Sequence, residues 1–191
     1  MGIFSMLFLA VLIVALVYAI VSYNNLVNLK HAVANAWANV DVLLKQRHDE
    51  IPKLVETCKQ YMKFEQTTLE KVMQARAQVS SAREARDIGA VGRAEGALRA
   101  GLGSLFAVAE AYPELKSNEQ FLHLHARISN LENAIAYRRE FYNESANINN
   151  VRVEQFPDDV VAGLFSFKTA RLLEFASAEK ADVDVRTLFT A

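Results

Sequence analysis

The sequence predicts an all-α protein, in which an N-terminal transmembrane helix continues into an elongated antiparallel helical bundle of three to four long helices plus a short C-terminal helix. Three observations carry that reading. Residues 3–21 are almost wholly apolar and no charged side chain occurs before Lys30. Only seven Gly and three Pro are present, and five of the Gly fall between Gly89 and Gly103, so the turn punctuation of a sheet protein is missing elsewhere. Apolar residues also recur in alternating steps of three and four over long stretches, the period of a helix packed lengthwise on another helix.

The first element is the span. Nineteen apolar residues in a helix reach roughly 28 Å, about the thickness of a hydrocarbon core. A cleaved signal would begin with basic residues and have a shorter apolar stretch, whereas this chain opens Met-Gly-Ile-Phe, so an uncleaved signal anchor is expected over residues 1–22. Lys30, Lys45 and Arg47 follow the exit, which by the positive-inside rule places the C-terminal domain in the cytoplasm. Tyr18 and Tyr23 bracket the exit at the headgroup layer. Ala15, Ala19 and Ser22 share a helical face on which two anchors can pack, and ordinary small residues facing lipid give the same pattern.

After the span, residues 23–175 hold one soluble helical domain, and residues 176–191 a polar tail. The stripe Leu26, Leu29, Val33, Ala36, Val40, Leu43 resumes after Arg47 at Ile51, Leu54, Cys58 and Tyr61. Pro52 interrupts it, so a kink or short break is expected there, with Asp49 as a cap for any new helix. A nearly continuous helix over residues 23–82 would extend roughly 90 Å. No Gly/Ser linker separates it from the anchor, so span and first helix are expected to form one stiff rod. Residues 85–103, rich in Ala, Gly and Arg, read as the turn into a second helix, whose apolar face of Leu98, Leu102, Leu105 and Ala109 ends at Tyr112-Pro113. Gly92 and Gly96 there permit close approach in a loosely packed turn. Ser117 with Gln120 has capping-box spacing and opens a third long helix, which Phe156-Pro157 ends. Residues 160–167 then form a short apolar segment across one end of the bundle.

Composition and motifs argue against several chemistries. The net charge is −1 with both signs interspersed, which offers no footprint for nucleic acid. Cys58 is the single cysteine, excluding an internal disulfide, and it lies on the apolar stripe away from any base. His123 and His125 point to different sides of a helix, and His31 and His48 are isolated, so no metal site is expected. The chain has neither a Gly-x-Ser-x-Gly elbow nor a phosphate-binding GxxxxGK[ST] loop. Paired acids at Asp49-Glu50 and Asp158-Asp159 read as helix N-terminal charges. No catalytic residue, cofactor or metal is assigned. Glu110, Glu132, Asn133 and Arg138 lie close to the apolar stripes and are expected to form a buried polar network that fixes helix register. Asparagines cluster early (Asn24, Asn25, Asn28, Asn35, Asn39) and late (Asn143, Asn147, Asn149, Asn150), where they either bridge helices or subunits close to the membrane or are solvated.

Several blocks together resemble the opening of the bacterial LemA proteins: Tyr23-Asn24-x-Leu26-Val27, Ala36-Trp37-Ala38-Asn39-Val40-Asp41, and Lys45-x-Arg47-His48-Asp49-x-Ile51-Pro52-x-Leu54-Val55-Glu56. The stretch from Ala109-Glu110 through Leu115-Lys116, then Glu132-Asn133-x-Ile135-Ala136-Tyr137-x-Arg139, Phe141-Tyr142-Asn143 and Phe156-Pro157, is similar to later blocks of that family. The similarity covers most of residues 1–168 and leaves the polar tail beyond it. It implies a membrane-anchored helical bundle and carries over no reaction and no catalytic residues. A magnetosome relative linked to forming internal membranes turns the expectation toward a scaffold that self-associates and organises or remodels the inner membrane. The alternative is a tethered adaptor for an unidentified protein partner in signalling or stress response. The expected partners are the bilayer and further copies of the chain.

Overall fold

A computed structural model describes residues 2–174, and the predicted tail over residues 176–191 lies outside them. Among the described residues every regular element is a helix: α1 (Ile3–Tyr61), α2 (Gln66–Glu84), α3 (Ile88–Ala109), α4 (Pro113–Lys116), α5 (Glu119–Glu154) and α6 (Asp158–Leu164). The all-α expectation of three to four long helices and a short C-terminal one is met by α1, α2, α3, α5 and α6. The chain divides into two compact units. The first combines the chain up to Leu44 with Asn133–Leu172. The second combines Lys45–Glu132 with residues 173–174.

In the first unit α1 and α5 run antiparallel. The Trp37 ring meets Tyr142 edge-on at 5.6 Å between centroids, and Leu26 packs in a cluster that includes Val153. The segment after α6 has no regular structure, and α5 side chains satisfy its backbone. Asn150 pairs both ways with Ala170, donating to its carbonyl at 2.9 Å and accepting from its amide at 2.7 Å. Asn149 donates to the Lys168 carbonyl at 3.4 Å and the Tyr142 hydroxyl to that of Arg171 at 2.7 Å. These two late asparagines therefore bridge, because an extended segment without a sheet needs outside partners for its amides and carbonyls.

The second unit holds the larger core, built from the C-terminal part of α1 (Ile51, Leu54, Cys58) with α2 (Leu69, Val72, Val79), α3 (Leu98, Leu102, Leu105) and the start of α5 (Phe121, Leu124, Ile128). Here the structure departs from the sequence reading in three places. Pro52 lies inside α1, so of the expected kink or short break the break is absent. Proline lacks the N–H that would meet the His48 carbonyl, and Arg76 of α2 supplies the missing donor through Nε at 2.9 Å. The break comes instead at residues 62–65, where α2 folds back, so Asp49 caps nothing.

Second, α3 begins at Ile88, and most of the glycine-rich stretch read as a turn is helix. The α2–α3 turn needs only a few residues. Asp87 caps α3 by accepting from the Ala90 amide at 3.1 Å, while Arg86 adopts φ 53. The Asp87 amide reaches back to the Ala82 carbonyl at 3.2 Å and that of Arg86 to Arg83 at 3.0 Å, a Schellman closure made without glycine. Third, the α5 cap is Asn118. Its Oδ1 accepts from the Phe121 amide at 2.9 Å and its Nδ2 donates to Tyr61 at 3.1 Å, whereas Ser117 turns back to the Glu114 carbonyl. Gly92 does serve a close approach: a Cβ there would lie 2.1 Å from the Glu174 carbonyl oxygen.

Candidate functional site

Two polar assemblies and one apolar surface stand out. The first assembly lies in the first unit, at the end of the apolar stretch of α1. This helix is long and apolar enough to cross a membrane, and its most apolar window is not buried at all among the described residues. Tyr18 and Ser22, one turn apart, both donate to Asp158 Oδ1, Tyr18 at 2.9 Å. Arg152 Nε meets Asp158 Oδ2 at 2.7 Å. The Asp158 carboxylate is buried, and these three donors offset the loss of its water. Beside it Leu26, Val161 and Ala162 form a small apolar cluster with Ala19 packed on it. Tyr23 meets Phe165 and Phe167 edge-on, at 4.8 and 5.7 Å.

This explains part of the predicted anchor face. Ala19 and Ser22 are covered by α6 of the same chain, because a small residue and a hydroxyl let a second helix approach closely. Ala15 is exposed. Asp158 does more than charge a helix N-terminus: it ties α6 to α1. Sequence spacing gave no sign of that, since its partners are 136 and 140 positions away.

The second assembly lies in the second unit. Arg47 of α1 pairs through Nη2 with Glu95 of α3, both 2% exposed, and its Nη1 lies 3.9 Å from Glu132 of α5. Arg47 Nε, Glu95 Oε1 and Glu132 Oε1 are buried without a hydrogen-bond partner among the described residues. Burial pushes the Glu132 carboxyl above the usual carboxylate range, against the pull of Arg47 and Arg99. Burial, with Arg76 close by, holds His48 below the usual imidazole value, and burial pushes the Cys58 thiol up to about 12. A thiol so protonated in the core is a packing group.

A polar network therefore exists, but of the four residues expected in it only Glu132 takes part. Glu110, Asn133 and Arg138 are exposed, and Arg138 lies over the Tyr137 ring at 5.8 Å. Each borders an apolar stripe without lying on its buried face. Arg47 and Glu95 were missed because Arg47 sits in a gap of the stripe and Glu95 in the stretch read as a turn. Placing that stretch on a helix puts Glu95 on the Val91–Leu98–Leu102 side. Among the described residues no group of three or more His, Cys, Asp and Glu is arranged to hold a metal ion. His125 packs against Phe106 and Phe121, and His123 is exposed.

The apolar surface is on α5. Tyr137, Phe141, Ile148 and Val151 are 67, 47, 48 and 53% exposed. With Glu144 and Gln155 they follow alternating steps of four and three along one face.

Magnetosome protein MamQ 2 of Paramagnetospirillum magneticum is 31% identical over 96 residues, 50% of this chain and 35% of that protein. Magnetosome protein MamQ of Magnetospirillum gryphiswaldense is 35% identical over 75 residues, 39% of this chain and 28% of that protein. The chain thus spans about a third of the length of these magnetosome relatives. Protein LemA of Metamycoplasma hominis is 25% identical over 170 residues, 86% of this chain and 74% of that protein. The LemA family model matches residues 36–187, so most of the polar C-terminal stretch left outside the resemblance falls within the match. The chain belongs to the LemA family, as a member whose N-terminal helix has the length and apolarity of a membrane span.

Proposed function

We propose that this protein is a membrane-anchored scaffold: α1 crosses the bacterial inner membrane once, and copies associate side by side to organise or remodel the bilayer. The observation that carries the reading is the α5 face of Tyr137, Phe141, Ile148 and Val151, an apolar stripe at coiled-coil spacing left exposed in the single chain. A second copy suits it, because a helix with the same spacing is the natural partner for such a stripe. The reading is non-catalytic, and the short N-terminus lies outside with the remainder in the cytoplasm. Kinship with magnetosome proteins supports a membrane role. Mass photometry of the detergent-extracted full-length chain is expected to give oligomers that Phe141→Asp with Ile148→Asp reduces to monomers. Monomers of the unaltered chain at every concentration would refute the scaffold.

A second reading, a tethered adaptor, is favoured by a different feature. The α1–α2 end of the second unit has a hollow of about 570 Å³ lined by Val55, Met62, Leu69 and Met73 together with Lys59, Lys63, Gln66 and Glu70, and Phe64 beside α1 is 95% exposed. Methionine-lined hollows accept varied apolar side chains. Proximity labelling that recovered only copies of this chain would remove that alternative.

A further inference from the structure

The first unit contains a short helix with large apolar side chains on its outer face. In α6 and its flanks Asp158 faces inward with Val161 and Ala162 and is buried, while Phe156, Val160 and Leu164, four residues apart, face outward beside the exposed Asp159 at 77, 63 and 77% exposure, with Phe165 at 53%. A surface helix of a water-soluble protein keeps most of its large apolar side chains off its outer face. Position supplies the reason. The N-terminal end of α6 is fixed to Tyr18 and Ser22, its middle packs beside Ala19 and Leu26, and its C-terminal end meets Tyr23. It therefore lies along the stretch of α1 where the apolar run gives way to Asn24 and Asn25. Just beyond, Lys30, His31 and Lys168 rim a cleft of about 480 Å³ whose inner wall includes Tyr23 and Phe167.

We infer that α6 is a second membrane contact, an interfacial foot whose Phe156, Val160, Leu164 and Phe165 enter the boundary between headgroups and acyl chains beside the span. The inference rests on the reading of α1 as a span. The occupant is the bilayer because the outward face of α6 continues the lipid-facing surface of residues 3–21. Interfacial helices bury their apolar faces about 5–10 Å into this boundary, which matches the rise of about 7 Å from Tyr18 to Tyr23. The bases of the cleft then fall at phosphate level, complementary to anionic headgroups. At this depth Arg152 gives Asp158 an ion pair, and Tyr18 and Ser22 give it hydrogen bonds. The span is thereby fixed in rotation as well as in depth, since only one of its faces carries the foot.

The test uses the full-length chain with Trp37→Phe, which removes the single native tryptophan, in phosphatidylcholine–phosphatidylglycerol vesicles carrying brominated acyl chains. Leu164→Trp and Val160→Trp report on the foot, Val11→Trp on the span, and Leu122→Trp on an exposed site of the second unit. Shallow-brominated lipid is expected to quench about half the emission from the two foot positions, with iodide nearly without effect, and Leu122→Trp to show the reverse. Deep quenching of Val11→Trp with iodide-accessible foot positions would overturn the foot and leave the span standing. Foot positions shielded from both quenchers would mean that a protein copy covers them, which also overturns it. An unquenched Val11→Trp would overturn the span and the foot together.

Discussion

Breaking the buried ion pair should be the most damaging polar change in the second unit, and it distinguishes this network from the one expected from sequence. Arg47 and Glu95 are each 2% exposed, so removing either strands the other's charge away from water. Such losses cost about 3–5 kcal/mol. For a chain of this size each kcal/mol corresponds to about 2–4 °C in Tm, so the melting point should fall by about 6–20 °C. The order follows from the geometry. Arg47→Ala leaves Glu95 without its cation and takes from Glu132 one of the two arginines that pull on it, so it should be worst. Glu95→Ala leaves Arg47 with Glu132 at 3.9 Å and should be milder. Replacing the pair by apolar groups of similar size, Arg47→Met with Glu95→Leu, should recover most of the loss, since the two most deeply buried charges are then both gone. The exposed Glu110→Ala and Arg138→Ala should each cost less than about 0.5 kcal/mol. The assay is far-UV circular dichroism melting of the full-length chain in detergent at fixed concentration. Equal shifts for Arg47→Ala and Arg138→Ala, or a double replacement worse than both singles, would refute the reasoning.

Three further outcomes follow from other contacts. Because burial raises the Glu132 carboxyl, the folded chain keeps a proton there that the unfolded chain releases. Its contribution is thus complete below about pH 4 and lost as pH climbs through the folded value, so Glu132→Gln should raise Tm at pH 8 with a gain that fades toward about pH 4. A gain independent of pH would contradict this. Arg76→Ala should cost about 1–3 kcal/mol by orphaning the His48 carbonyl. Adding Pro52→Ala restores a backbone donor and should return part of that loss, whereas additive denaturation shifts would show that Arg76 does not fill the proline gap. Gly92→Ala forces a Cβ into the Glu174 carbonyl and should destabilise by about 1–3 kcal/mol. Gly103→Ala has nothing within 4 Å and should stabilise by about 0.5–1 kcal/mol, as for an open helical glycine; urea titrations that reversed the order would refute the close approach.

The sequence made the helices legible because each long one carries a stripe at its own period, and the apolar run of residues 3–21 is read from composition alone. What stayed hidden depended on partners far along the chain. Pro52 looks like a break until α2 brings Arg76 to its unpaired carbonyl. Gly89, Gly92 and Gly96 weaken local helix propensity, and packing in the second unit overrides it at α3. Of Glu110, Glu132, Asn133 and Arg138, only Glu132 lies beside Arg47 and the other three are exposed, since adjacency to a stripe does not tell a buried face from its border. Asp158 looked like a helix-end acid, and only the folded chain joins it to Tyr18 and Ser22. The late asparagines Asn149 and Asn150 are legible as candidate bridges, but not as partners for the backbone of the irregular segment after α6.

The scaffold itself is tested most directly by counting copies of the full-length chain in a bilayer. With one fluorophore per chain in vesicles, stepwise photobleaching is expected to show several steps per spot for the unaltered protein, and single steps once Phe141→Asp and Ile148→Asp are introduced. Single steps for the unaltered protein at every protein-to-lipid ratio would contradict lateral self-association.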